Sequence, residues 1–270
     1  MTARLGYDVN GPASGEEDAP VLVLGSSLGT TRVMWRPQLE PFAERLRVVR
    51  FDHRGHGASA EPPGPYTIAD LGRDVLAMLG ELGVRHFSYA GVSLGGMVGI
   101  WLAANAAERV DRLALCCTTA YLPPAQAWRD RAATVLASGM AAIADAVVAR
   151  WFTPAFAADH PDVVAEMHAG LVAAPPVGYA ACCEAIAAMD QREDLYRITA
   201  PTLVLAGTQD QAIPVDHSER LVEAVPGSRL ALVHGAHLAT LEAAAESTAL
   251  LLDHLLPGQL PDHTPGQGGL

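Results

Sequence analysis

The sequence predicts an α/β fold: a mostly parallel sheet flanked by helices and interrupted by an inserted helical cap. Three observations carry this reading. Short apolar runs ending in Gly or Asp alternate with longer amphipathic segments, the pattern of parallel strands joined by crossover helices. The runs are continuously apolar instead of strictly alternating, as expected of strands covered on both faces. Between about Ala120 and Ile198 the rhythm stops, giving way to Ala-rich helical periodicity with several Pro interruptions, and it resumes at Pro201.

Taken in order, the predicted strands cover 20–25, 46–52, 87–91, 113–117, 202–207 and 230–233. Between the second and third of these, Thr67 and Asp70 form a capping-box-like start. Ile68, Leu71, Val75, Met78, Leu79 and Leu82 follow at helical spacing, and Gly83 stops the helix. The crossover is expected to be right-handed. An amphipathic helix is predicted over 241–256. The chain thus divides into a core of residues 1–119 and 199–256, a cap over 120–198, and a Pro/Gly-rich tail over 257–270 that is expected to be disordered.

Composition narrows the function classes. The 270 residues carry 18 Lys+Arg against 30 Asp+Glu, a net charge of −12 with the ten His neutral, and 50% are hydrophobic. So apolar a chain can bury a large core. Without a basic cluster it lacks the electrostatic footprint of a nucleic-acid partner. No uncharged apolar run approaches the roughly 18–20 residues that span a bilayer, and the first ten residues lack the apolar stretch of a signal peptide. The expectation is a cytoplasmic protein without nucleic-acid or membrane partners. Cys116-Cys117 and Cys182-Cys183 are adjacent pairs in apolar surroundings, where neighbouring side chains on one strand point to opposite faces. They read as reduced, buried thiols.

Chemistry concentrates at Gly91-Val92-Ser93-Leu94-Gly95, where a predicted strand gives way to a predicted helix. In that setting G-x-S-x-G is a nucleophile elbow, a turn so tight that it pushes the Ser93 hydroxyl out at the carboxyl end of the sheet. The Leu94 N–H, at a helix N-terminus, then faces the space where an oxyanion would form. A Ser hydroxyl needs a base, and the base needs an orienting carboxylate. Asp210 and His237 each follow a different predicted strand and complete the order Ser, Asp, His. His234 competes for the base role, and Asp216 for the carboxylate, although Asp216 follows Pro214 where a helix should begin.

These motifs make the chain resemble the α/β-hydrolases, which implies an eight-stranded-type, mostly parallel sheet. The segment Asp52-His53-Arg54-Gly55-His56-Gly57-Ala58-Ser59 resembles that family's D-x-R-G-x-G-x-S loop, for which the resemblance implies a structural role. Ser26-Ser27 stands where the family has His-Gly, so the second oxyanion donor maps to the N–H of Leu28. Within the family, Gly25-Ser26-Ser27-Leu28-Gly29-Thr30 followed by Met34-Trp35, and Gly91 through Met97, resemble the 3-oxoadipate enol-lactonases. So do the cap segments 127–131 and 146–154, Cys182-Cys183-x-Ala185-Ile186 and residues 190–195. The resemblance covers roughly residues 20–255.

It implies hydrolysis of a small anionic lactone, 3-oxoadipate enol-lactone, with no metal or organic cofactor. A substrate carboxylate held away from water calls for Arg, whose planar guanidinium matches it. Arg32, Arg129 and Arg131 are the candidates, with Trp128 as a wall for the ring. Other readings are a carboxylesterase, a cofactor-free perhydrolase, a carbon–carbon hydrolase of aromatic meta-cleavage products, or a ligand receptor on the same fold.

Overall fold

In a computed structural model, which describes residues 2–12 and 19–256, seven strands form one sheet. They are β1 (Tyr7–Asn10), β2 (Val21–Gly25), β3 (Arg47–Phe51), β4 (Phe87–Val92), β5 (Val110–Cys116), β6 (Thr202–Gly207) and β7 (Arg229–Val233). The order is β1-β3-β2-β4-β5-β6-β7, and only β1 runs antiparallel. The eight-stranded type implied by the resemblance is represented by seven strands among the described residues. β1 escaped the sequence reading because Tyr-Asp-Val-Asn alternates apolar with polar at an edge, without a continuous apolar run. β4 and β6 are buried along their whole length, which is why their sequences are apolar apart from Ser88 and Thr202.

The helices of the core are α1 (Arg36–Ala43), α2 (Ile68–Glu81) and α3 (Leu94–Asn105). The Thr67–Asp70 capping box is formed reciprocally at the start of α2. α3 is apolar all round, as a helix enclosed on every side must be. Strand order reverses at β2, which has β3 on one side and β4 on the other. The connections leaving β2 and β4 diverge there, opening the crevice at which such sheets bind ligands.

Between β5 and β6 lie α4 (Ala125–Ser138), α5 (Ala141–Val148), α6 (Pro154–Asp159), α7 (Pro161–Val172) and α8 (Pro176–Ala188). An isolated antiparallel bridge between Tyr121 and Asp190 joins the two ends of this helical insertion, reinforced by the Gln191 N–H donating to Ala120 O at 2.9 Å. α4 packs along α8. α8 is docked onto the core through a backbone-to-backbone contact: a Cβ added to Gly178 would sit 2.4 Å from Gly55 Cα and O. The Gly178 N–H also donates to Glu61 Oε1 at 2.7 Å.

After β6 come α9 (Val215–Ala224), α10 (Ala239–Glu242) and α11 (Ala244–Leu255). The single helix predicted over 241–256 is therefore two, broken at Ala243. The tail over 257–270 lies outside the described residues. All four cysteines are free and buried, and the second pair sits on helix α8, not on a strand. Burial pushes the Cys116 thiol up to about 12. No single described helix is long and apolar enough to cross a bilayer.

The Gly55–Gly178 contact generates a paired prediction. Gly178→Ala should cost about 1–3 kcal/mol by overpacking. Gly170→Ala, at an exposed position of α7 with nothing within 4 Å of the new methyl, should instead gain about 0.5–1 kcal/mol. Urea unfolding of the two variants beside the parent checks both signs.

Candidate active site

The strand-to-helix turn after β4 is built by its glycines. A Cβ on Gly91 would lie 2.4 Å from Gly95 C and O, and one on Gly95 would lie 2.4 Å from Gly25 O. Only Gly lets strand and helix approach so closely. The turn forces Ser93 to φ +56°, ψ −115°, a conformation non-glycine residues rarely adopt. Neighbours hold it there: the Ser93 N–H donates to Cys116 O at 2.9 Å, and Ser93 O accepts from Thr118 Oγ1 at 2.7 Å. The Ser93 hydroxyl faces the pocket above the sheet.

The three residues singled out by order along the chain meet there. His237 Nε2 lies 2.9 Å from Ser93 Oγ, and His237 Nδ1 lies 2.8 Å from Asp210 Oδ2. All three are buried. The other Asp210 oxygen accepts the N–H groups of Ala212 and Ile213 at 2.8 and 2.9 Å, so the carboxylate is fixed by its own loop. A carboxylate can only accept, so Nδ1 carries the proton and Nε2 presents its lone pair to the serine hydroxyl. The competitors lie elsewhere. His234 is exposed and contacts Gln209, and Asp216 pairs with Arg220 in the first turn of α9.

Leu28 and Leu94 flank the serine. Leu94 opens α3, where its N–H has no intrahelical acceptor. Leu28 lines the same pocket in a turn closed by Thr30 N–H donating to Ser27 O at 3.1 Å, with Gly29 at φ +79°. The loop after β3 grips this turn. His53 Nε2 donates to Ser26 O at 3.0 Å, and the Gly29 N–H donates to His56 Nε2 at 3.0 Å. Burial holds the His53 imidazole down at about 3, with nearby His56 adding to the effect and Ser26 O opposing it. Burial lowers His56 as well. Arg54 forms a two-pronged ion pair with buried Asp74, at 2.6 and 2.7 Å.

The pocket itself is small, about 70 Å³, well below the roughly 300–1,000 Å³ of sites for drug-sized ligands. Leu28, Leu122, Val147, Trp151 and Ile213 make its walls largely apolar. Of the residues predicted to meet the substrate, Trp128, the expected ring wall, and Arg131, a carboxylate candidate, line it, the guanidinium 4.6 Å from the centre of the indole. Arg32 does not: its Nε donates to Asp8 Oδ2 at 2.9 Å, and its NH1 pairs with Asp52. Its closeness in sequence to the Leu28 turn is misleading because two carboxylates pull the side chain toward β1 and β3. Arg129 points away as well, half-exposed and 3.8 Å from Glu184.

Sequence reasoning missed Arg150, which follows α5 and lines the pocket with Arg131. Among the described residues neither forms an ion pair with a carboxylate. The available signal was its place in segment 146–154, whose resemblance to the enol-lactonases did not single out Arg150. Tyr179 of α8 also lines the pocket; burial pushes its hydroxyl up, and Arg131 beside it opposes that shift. No group of His, Cys, Asp and Glu among the described residues is arranged to hold a metal.

Comparisons with known proteins identify the fold family. Residues 20–160 match the model of the α/β hydrolase fold family. Over 228 residues the chain is 40% identical to 3-oxoadipate enol-lactonase 2 of Acinetobacter baylyi, covering 84% of this chain and 85% of that protein. The crystal structure of the enol-lactonase from Burkholderia xenovorans superposes with a TM-score of 0.91 at 39% identity, covering 94% of this chain and 96% of the other. RutD of Variovorax paradoxus, whose name assigns it carbamate hydrolysis provisionally, is 35% identical over 260 residues, covering 93% and 96% of the two chains.

The buried imidazoles set a pH dependence of stability. Folded His53 is held near 3 against an ordinary 6.5, so between those values the unfolded chain binds more protons. Its contribution is complete above about pH 6.5 and is lost progressively as pH falls toward 3; His56 acts in the same direction. Denaturant unfolding across pH 4.5–7.5 should show stability falling below about pH 6.5, and His53→Gln should make that decline shallower.

Proposed function

The chain belongs to the α/β-hydrolase family, and from that premise we propose that it hydrolyses 3-oxoadipate enol-lactone to 3-oxoadipate by a Ser–His–Asp mechanism. The observation that carries the reading is the pairing of a serine–histidine–aspartate line with a small pocket whose cap wall bears Arg131 and Arg150. That pocket suits a compact ring with a pendant carboxylate, and it leaves no room for a long acyl chain. The 40% identity to an enol-lactonase over most of both chains supports the same substrate class.

Ser93 attacks the lactone carbonyl while His237, oriented by Asp210, takes the hydroxyl proton. The N–H groups of Leu28 and Leu94 receive the developing oxyanion, each such donor contributing about 3–4 kcal/mol to the transition state. Collapse breaks the ring carbon–oxygen bond. The ring oxygen leaves as an enol with the proton from His237, and its tautomerisation to the ketone makes ring opening hard to reverse. His237 then activates the water that releases the acyl group from Ser93.

The substrate carboxylate is held by Arg131 and Arg150, which supply positive potential locally in a chain of net charge −12. Neither a metal nor an organic cofactor enters these steps. The partner is a small anionic lactone, not a nucleic acid or a membrane. The cytoplasm is the proposed compartment, where four buried free thiols stay reduced.

Two measurements follow. Ser93→Ala should lower lactone turnover by about 10⁴–10⁶-fold without unfolding the protein, read from the loss of the lactone's ultraviolet absorbance beside a circular dichroism spectrum. Retained turnover would overturn the nucleophile assignment. Arg131→Ala and Arg150→Ala should each raise KM for the anionic lactone roughly tenfold or more, corresponding to about 1.5–3 kcal/mol for a charged hydrogen bond. Both should leave hydrolysis of neutral p-nitrophenyl acetate nearly unchanged. Equal losses on the two substrates would place the carboxylate elsewhere.

A further inference from the structure

Glu242, the last residue of α10, takes no part in the chemistry described above, yet its carboxylate is surrounded by donors from two distant segments. Its Oε2 accepts the Ala236 N–H at 2.9 Å and the Thr153 N–H at 3.2 Å. Its Oε1 accepts from the Thr153 hydroxyl and, at 3.4 Å, from the Thr153 N–H. Ala236 immediately precedes His237, and Thr153 is the N-cap of cap helix α6, its hydroxyl accepting from Phe156 N–H at 3.2 Å. The carboxylate therefore bridges the loop that carries the histidine to the helical cap.

Two direct bonds lie beside this bridge. The His237 N–H donates to Arg150 O at 3.4 Å, and the Leu238 N–H donates to Trp151 O at 2.9 Å. Residues 236, 237 and 238 are thus each tied in succession to the cap segment 150–153, the first through Glu242. That segment also contributes Arg150 and Trp151 to the pocket wall. One latch consequently sets both the height of the imidazole over Ser93 and the position of the wall that meets the substrate.

We infer that Glu242 is a positioning residue that locks the His237 loop to the cap, aligning the general base with Ser93 and the Arg150–Trp151 wall with the substrate. The inference rests on the reading of Ser93 and His237 as nucleophile and base. A neutral amide at this position weakens the latch: it keeps one accepting oxygen, but its NH2 end faces the Thr153 N–H, which also donates, and reverses the bond to the Thr153 hydroxyl. Loss of the latch lets the loop relax by fractions of an ångström, and misplacement of about 1 Å costs about 10²-fold in rate.

The test is phosphonylation of Ser93 by diisopropyl fluorophosphate in the full-length protein. Serine oxygen bonds to phosphorus, fluoride leaves with the serine proton, and fluoride release gives the rate without any lactone. Labelling of the parent protein at Ser93 secures the underlying reading; its absence would sink that reading and the inference with it.

Given labelling, Glu242→Gln should phosphonylate ~10–100-fold more slowly and lose lactone kcat by a similar factor. Gly170→Ala, at an exposed position of α7 with nothing within 4 Å of the new methyl, should keep the parent labelling rate. Thr153→Val, which removes the hydroxyl partner of Glu242 together with the α6 cap bond to Phe156 N–H, should slow labelling in the same direction, and Thr153→Ser should restore it. If Glu242→Gln folds and labels at the parent rate while only its melting temperature drops, Glu242 is a structural residue and the inference is wrong. If Glu242→Gln does not fold, the Thr153 pair decides: equal labelling by the Val and Ser variants overturns the proposal.

Discussion

The Ser26 carbonyl is the point on which the rest of the site depends. It accepts the Gly95 N–H at 3.0 Å from one side and the His53 Nε2–H at 3.0 Å from the other. The first bond ties the loop after β2 to the start of α3, which fixes the spacing between the Leu28 and Leu94 N–H groups. The second bond ties that loop to the β3 loop, whose buried neutral imidazoles act as spacers. Catalytic stabilisation of an oxyanion needs donors aimed before the charge appears, and such preorganisation comes from constraints of this kind. The cost is burial of polar groups, offset where they find partners, as the Ser26 carbonyl does, whereas the buried Ser26 hydroxyl has none among the described residues.

The site is assembled at the reversal of strand order, and this explains why it needs contributions from so much of the chain. Ser93 follows β4, the Leu28 turn follows β2, Asp210 follows β6 and His237 follows β7. A parallel sheet delivers the carboxyl ends of its strands to one rim, so residues far apart in sequence converge without any of them leaving its own loop. The cap then closes the rim. Different physics holds it at different places, among them a glycine-to-glycine backbone contact at α8 and hydrogen bonds to the His237 loop at the α5–α6 connection. Between these anchors the cap delivers Trp128, Arg131 and Arg150 to the pocket.

Electrostatics within the molecule work locally. A net charge of −12 would repel an anionic substrate over long distances, screened beyond about 8 Å at physiological salt. Inside the pocket Arg131 and Arg150 invert that sign. Arg32 shows the opposite outcome, its charge consumed by Asp8 and Asp52, where it joins the edge strand to the loops beneath it. Equal side chains thus stay open to the pocket or are consumed by architecture according to which carboxylates lie within reach.

Sequence alone determined what depends on local geometry and order. The elbow is legible because glycines two residues either side of Ser93 have one physical use there, and the strands are legible because burial on both faces leaves continuous apolar runs. The order Ser93, Asp210, His237 could be read because each residue follows its own strand. What tertiary structure decided is everything set by distance between segments with no fixed sequence separation. It sent Arg32 to Asp8 and turned Arg129 away. It brought in Arg150, broke the last helix at Ala243, and placed Glu242 between Ala236 and Thr153. A side chain's partners depend on the packing of whole elements, and a long, flexible Arg or Glu is directed by whichever charge or donor that packing presents.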